Sequence, residues 1–287
     1  MDSIDNYIDE MVRIVNAPLA FRPHINVEYP RNNKLIFEEW FRLEYLGSKS
    51  DRMYLDIFWT SYHVNHNYGN DAFMMDAIQR YVDGLDRSKK YFTICQYDDS
   101  VLVDFKDLDI LRFEMSKKIG VEIPLLCQPH PYKFDTPKKW LVSFVGGRTH
   151  PIRNELERLK ANQDYYVSYD LHDIETYCKI IHESVFTLCP RGYGENSFRT
   201  CEALQYGSIP IYISDQFIGC FGVEFLNYGW KITNDEIGSL EKYIQLFSKS
   251  IIEKQEAGRK YYEEYYTYEG CFKHIIETLE TEYNSRQ

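Results

Sequence analysis

Two kinds of hydrophobic pattern take turns along this chain. Short apolar runs of strand length stand at Met53–Trp59, Tyr91–Gln96, Ile123–Cys127, Trp140–Val145, Tyr165–Tyr169, Val185–Cys189, Ile209–Ile213 and Tyr228–Ile232. Between them, apolar residues recur three or four apart at Asp71–Gly84, Pro151–Lys160, Ile174–Glu183, Ser197–Tyr206 and from Asp235 to Lys249, the spacing of one helical face. Strands that alternate with helices predict the α/β class with parallel sheets. Ile4, Ile8, Met11 and Val15 predict an opening helix that Pro18, Pro23 and Pro30 break. Leu35–Leu46 fits a strand or a helix, Thr60–Gly69 reads as a polar loop, Val101–Met115 suggests one or two strands, and Glu253–Glu282 predicts a long helical tail. Three prolines in Gln128–Lys139 predict an inter-domain connection, with a first domain over 1–135 and a second over 136–287.

The stretch Ser184–Asp215 organises the second half: a buried strand, a turn with Arg191, Gly192, Tyr193 and Gly194, a helix from Ser197, and a second buried strand. Ligands of open α/β sheets sit beyond the carboxyl ends of strands, where the chain turns into the next helix. A helix start offers unpaired N–H groups and the positive end of the helix dipole to an anion. Arg191 and Arg199 could add planar forks for phosphate oxygens, and glycine allows close approach or φ > 0. Glu202 follows Arg199 by one helical turn, where a carboxylate could accept from ribose hydroxyls. The competing reading is an Arg199–Glu202 surface pair beside ordinary turn glycines. Gly146-Gly147-Arg148, before the helix at Pro151, forms a second turn of the same kind.

Composition narrows the classes. The 287 residues carry a formal net charge of −11, which argues against a nucleic-acid backbone or an anionic membrane surface as the main partner. No apolar run approaches the roughly 20 residues of a membrane span. The acidic N-terminus has no signal-peptide pattern. The seven cysteines are dispersed and predict buried free thiols in a reducing compartment. The 25 tyrosines could offer sugar platforms, but most are read as core residues or compositional drift. These features point to a soluble, cytoplasmic protein.

The ordered run C-P-R-G-Y-G-x-x-S-F-R-x-x-E-A-L-Q-x-G-x-I-P-x-x-I-x-D, over Cys189–Asp215, resembles the signature of the exostosin family, glycosyltransferase family 47. Ser143–Leu156 resembles the F-x-G…R segment that precedes it there. Within that family the chain resembles a soluble relative of bacterial or large algal virus type, which for a viral member implies the host cytoplasm. The resemblance implies a GT-B-like fold of two Rossmann-like domains facing a central cleft. It implies inverting transfer of a monosaccharide from a UDP-sugar to a glycan or glycoprotein. UDP-xylose, UDP-galactose and UDP-glucuronic acid are the donors to consider, with no cofactor and no metal. Donor-site candidates are Gly146, Gly147, Arg148, Arg153, Arg191, Gly192, Tyr193, Gly194, Ser197, Arg199 and Glu202, with Arg153 matching the family arginine that neutralises the diphosphate. The base on the acceptor hydroxyl would come from the first domain, from Asp98 or Asp99, with His63 behind them. Three alternatives stay open: metal-dependent transfer through Asp107 and Asp109, a catalytically silent nucleotide-binding subunit, or general phosphate-ligand binding by an α/β domain with no preference for uridine.

Overall fold

The computed structural model describes residues 13–24, 35–116 and 119–285. The chain forms two compact units, one of Met1–Ile123 with Tyr268–Gln287 and one of Pro124–Thr267. Each holds a five-stranded sheet, and every strand pair in both is parallel. The expected α/β class with parallel sheets is what the chain adopts.

In the first unit, strands β1 (Ile14–Val15), β2 (Arg52–Leu55), β3 (Lys90–Cys95), β4 (Asp109–Glu114) and β5 (Val121–Glu122) lie side by side in chain order. Helices α1 (Phe37–Glu44), α2 (Trp59–Asn65) and α3 (Ala72–Asp83) connect them. Asp71 caps α3 by accepting from the Met74 N–H at 3.2 Å, and Ile78 and Val82, four apart, are fully buried. Part of the tyrosine set is in the core: Tyr45 and Tyr54 pack with Phe41 and Phe92 in a cluster of edge-on and stacked rings, whereas Tyr68 and Tyr193 are exposed.

Several sequence expectations change here. Ile4, Ile8 and Met11 lie outside the described residues, and Val15 stands in a strand rather than a helix. The polar run from Thr60 is not a loop but α2. Its polar groups are buried because α1 brings two glutamates to them: Glu38 accepts from the Thr60 hydroxyl at 2.8 Å, and Glu39 from Ser61 at 3.1 Å. Val101–Leu108 is irregular, so one strand forms there, and the strand expected at Ile123–Cys127 is the shorter β5 just before it.

The second unit contains β6 (Trp140–Val145), β7 (Tyr165–Ser168), β8 (Ser184–Pro190), β9 (Ile209–Ile213) and β10 (Trp230–Ile232), in the sheet order β10-β9-β8-β6-β7. A 3-10 helix spans Pro151–Ala161, followed by α4 (Ile174–His182), α5 (Phe198–Gln205), α6 (Leu240–Phe247) and α7 (Ile251–Tyr261). Val142, Phe144, Phe186, Leu188, Ile211 and Ile213 supply the sheet side of the core, with Leu156, Leu240 and Ile244 from the helices. The chain steps from β6 outward to β7, then returns to the other side of β6 to lay down β8. The strand order therefore reverses between β6 and β8.

The expected boundary at residue 135 lies twelve residues past the division at Ile123. The proline-rich segment packs as part of the second unit: Gln205 holds the His130 backbone from both sides, at 3.2 and 2.9 Å, and Lys138 donates to the carbonyls of His182 and Gly207 at 2.7 and 3.0 Å. The helical tail is two helices. A π-helical turn at Tyr262–Tyr266 and an extended Thr267 end the first, and Tyr268–Asn284 joins the first unit. Arg52, 4% exposed, holds it there, donating to both oxygens of Glu282 at 2.7 and 2.8 Å and to Asp109 at 2.7 Å.

Candidate functional site

The strand order reverses between β6 and β8, and the carboxyl ends of strands at such a reversal are the place where parallel α/β sheets bind ligands. Both glycine-bearing turns leave from it: Gly146–Arg148 follows β6, and Arg191–Asn196 follows β8 and leads into α5.

Two arginines tie the turns together. Arg153, 5% exposed, donates from Nε to the Arg191 carbonyl at 2.9 Å, from Nη1 to Gly147 at 3.1 Å and from Nη2 to Pro190 at 3.2 Å. Burial, and then the charge of Arg199, push its pKa down. Arg199, on α5, reaches back to β6: its Nε and Nη2 both donate to the Val145 carbonyl, at 2.9 and 2.7 Å, with the guanidinium 5.1 Å from the Phe144 ring centre. Its Nη1 makes no hydrogen bond among the described residues. Neither arginine has a carboxylate partner among the described residues.

The glycines serve close approach. A Cβ at Gly146 would lie 1.8 Å from Arg199 Nη2, and one at Gly192 would lie 3.2 Å from Arg153 Nη2. Gly192 and Gly194 do not stand at positive φ, so of the two uses of glycine it is close approach that Gly192 serves. Ser197 is the N-cap residue of α5, with its hydroxyl buried and unpartnered. A buried hydroxyl at a helix start with no protein partner is suited to a ligand's oxygen.

The other candidates are placed differently from their expected roles. Arg148 lies 3.7 Å over the Tyr169 ring and is bound to Asn154 and Glu157. Arg191 folds onto its own turn, with Nη1 on Glu195 and Nη2 on the Tyr193 carbonyl at 3.0 Å, while its buried Nε is unpartnered. Tyr193 extends its ring to solvent at 69% exposure. Arg199 and Glu202 do not pair. Glu202 is buried, its Oε1 3.1 Å from His130 Nε2 and its Oε2 accepting from the Tyr177 hydroxyl.

His130, Tyr177 and His150 were not legible as site residues. His130 and Tyr177 come from segments distant in sequence, and only the packing of the proline-rich segment and α4 on α5 unites them with Glu202. His150 opens the 3-10 helix beside Arg191; burial first, and then that charge, lower its pKa. Cys127, His130 and Glu202 also place one possible metal-ligand atom each within 4.8 Å of one another. Three groups are fewer than a closed structural zinc set.

In the first unit, Asp98 and Asp99 lie half-buried in the turn beyond the carboxyl end of β3. His63 is on α2, not in a loop, and is fully buried. It lies 2.9 Å from the Val101 carbonyl through Nε2, and burial lowers its pKa to about 4. Asp107 and Asp109 stand at the amino edge of the sheet, where Asp109 begins β4. They pair with Arg87 at 3.4 Å and Arg52 at 2.7 Å. That edge is opposite the one where such sheets bind ligands. All seven cysteines are buried and free. Among the described residues, no helix is long and apolar enough to cross a membrane.

Residues 108–228, which hold both turns and both of the arginines that tie them, match the Exostosin GT47 domain. The chain is thus exostosin-like over that span. It is similar to the Exostosin-1 homolog of Caenorhabditis elegans, with 29% identity over 169 residues, or 44% of each chain. It therefore spans less than half the length of that curated relative. Two solved structures also align. The pneumococcal O-GlcNAc transferase GtfA, in complex with UDP and GlcNAc, has 12% identity over 73% of this chain and 47% of its own, at a TM-score of 0.41. TarM has 9% identity over 71% of this chain and 53% of its own, also at 0.41. At those scores neither bears on the site.

Proposed function

We propose that this chain is a glycosyltransferase that moves one monosaccharide from a UDP-sugar to a glycan acceptor with inversion, without a metal. The observation that carries the reading is the uncompensated positive charge at the strand reversal. Arg153 and Arg199 sit beside the start of α5 with no carboxylate partner among the described residues, in a protein whose net charge is −11. A diphosphate answers that charge, and the match to an Exostosin GT47 domain supports a sugar on it.

In this chemistry the acceptor oxygen attacks the anomeric carbon as the bond from that carbon to the diphosphate oxygen breaks. The bonding pair leaves with the nucleoside diphosphate, and the acceptor's proton passes to a base. Arg199 Nη1, the Ser197 hydroxyl and the N–H groups at the start of α5 would stabilise the departing charge. Arg153 would act through its charge while holding the two turns in register. Glu202 would take ribose hydroxyls. Asp98 or Asp99 is the proposed base, since each is half-buried at the carboxyl edge of its sheet, whereas His63 is sealed in the core. Among the described residues, the other turn arginines, Arg148 and Arg191, are paired with Glu157 and Glu195, so UDP-xylose or UDP-galactose is preferred over UDP-glucuronic acid. Seven buried thiols fit a reducing, cytoplasmic setting.

The test is release of UDP from UDP-xylose, UDP-galactose and UDP-glucuronic acid, with a panel of glycan acceptors and with or without EDTA. Acceptor-dependent release that EDTA leaves unchanged supports the reading. Release only with added divalent cation contradicts its metal-free form. Nucleotide binding without any transfer would instead mark a silent subunit.

A further inference from the structure

If Glu202 takes the ribose, its carboxylate must be held in one orientation, and α5 alone does not hold it. Two donors from elsewhere do. The Tyr177 hydroxyl, on α4, donates to Oε2, and His130 Nε2, on the proline-rich segment, lies 3.1 Å from Oε1 and donates to the carboxylate. His130 is itself fixed. The Gln205 side chain both accepts from its N–H at 3.2 Å and donates to its carbonyl at 2.9 Å, and the ring lies nearly parallel to Tyr206, 6.4 Å between centres. Arg199 and Glu202 both act electrostatically on Tyr177, which ties this network to the strand reversal.

A carboxylate offers about four lone-pair sites, so two donors on the protein side leave two for a ligand. A vicinal diol presents two donors at that spacing. We infer that His130 and Tyr177 are positioning residues that orient the Glu202 carboxylate toward the 2′- and 3′-hydroxyls of a nucleoside diphosphate, and so set a preference for ribo- over 2′-deoxyribonucleotides. The inference rests on the donor-site reading above. A site built to bond a hydroxyl discriminates strongly against the analogue that lacks it, because its own polar groups are then left unpaired.

The experiment measures the dissociation constants of UDP and 2′-deoxy-UDP for the whole chain and for His130→Gln, His130→Leu and Tyr177→Phe. In the unaltered protein UDP should bind about tenfold more tightly than its deoxy analogue, the loss of roughly one hydrogen bond to a charged acceptor. Tyr177→Phe and His130→Leu should bring that ratio toward unity. His130→Gln keeps a donor near the same place and should preserve most of it. The ratio is read on folded protein, so a change in stability does not move it. A ratio unchanged in both Tyr177→Phe and His130→Leu overturns the inference and leaves the network a packing device. Equal binding of the two nucleotides by the unaltered protein overturns it as well. If UDP fails to bind the unaltered protein, the donor-site reading falls and this inference falls with it.

Discussion

Arg199 Nη2 occupies the space that a side chain on residue 146 would fill: a Cβ there would lie 1.8 Å away. The glycine stands in the turn after β6 and the arginine on α5, and the arginine can take this position only because residue 146 has no side chain. Gly146 lets Arg199 reach the Val145 carbonyl, and Arg199 carries positive charge to the end of β6.

Gly146→Ala should therefore act through Arg199. The far end of a flexible side chain can move, so the expected stability cost is about 1 kcal/mol for the displaced hydrogen bonds. Nucleotide affinity should fall about tenfold, or about 1.4 kcal/mol. Calorimetric titration with UDP checks this, and unchanged affinity would detach Arg199 from ligand binding.

His63 predicts a pH dependence. Its folded pKa, lowered to about 4, lies below the roughly 6.5 of an unfolded histidine. As pH falls from about 6.5 toward 4, the unfolded chain takes up a proton that the native chain does not. Native stability is then lost at up to about 1.4 kcal/mol per pH unit. Glu38 works in the opposite sense: burial raises its pKa to about 7, so its contribution is lost as pH rises from about 4.5 through 7. Subtracting the unfolding free energy of His63→Gln from that of the unaltered protein cancels Glu38. The difference should rise with pH between 4 and 6.5, and a flat difference would contradict the buried placement. The same variant should keep its turnover, because a sealed side chain cannot reach an acceptor hydroxyl.

Asp98→Asn and Asp99→Asn separate the base from its neighbour. One of them should lower kcat by about 10²–10⁴ with UDP affinity unchanged, as loss of a general base does. Full turnover in both would remove this turn from the chemistry.

Asp107→Asn and Asp109→Asn address the metal-dependent alternative. Asp109 is bound to Arg52 and half-exposed, so its loss should cost no more than about 1 kcal/mol. Turnover should stay within about twofold of the unaltered protein. A collapse of activity in either variant, restored by no added cation, would give the amino edge of the sheet a role that its arginine pairing does not suggest.

What the sequence made legible follows from how local the signal is. β6 and β9 stand where the apolar runs place them, and the two turns could be read because strand, glycine and helix start are neighbours in the chain. α2 was hidden because its polar residues are buried against Glu38 and Glu39, an arrangement that only the packing of α1 creates. The partners of Arg199 and Glu202 were hidden for the same reason. Their spacing on one helical face suggested a mutual pair, yet tertiary contacts offered each a better one: a carbonyl at the end of β6, and a histidine 72 residues away in sequence.

The central claim is that the strand reversal between β6 and β8 binds a uridine diphosphate without a metal. A thermal-shift comparison of UDP, GDP and CMP, each with and without EDTA, tests it most directly. A nucleotide at about 100 times its Kd adds roughly 2.7 kcal/mol to native stability, enough to raise the melting temperature by several degrees. Selective stabilisation by UDP that survives EDTA and is lost in Arg199→Ala is the expected result. Stabilisation that disappears with EDTA, or none from any nucleotide in a folded sample, would contradict it.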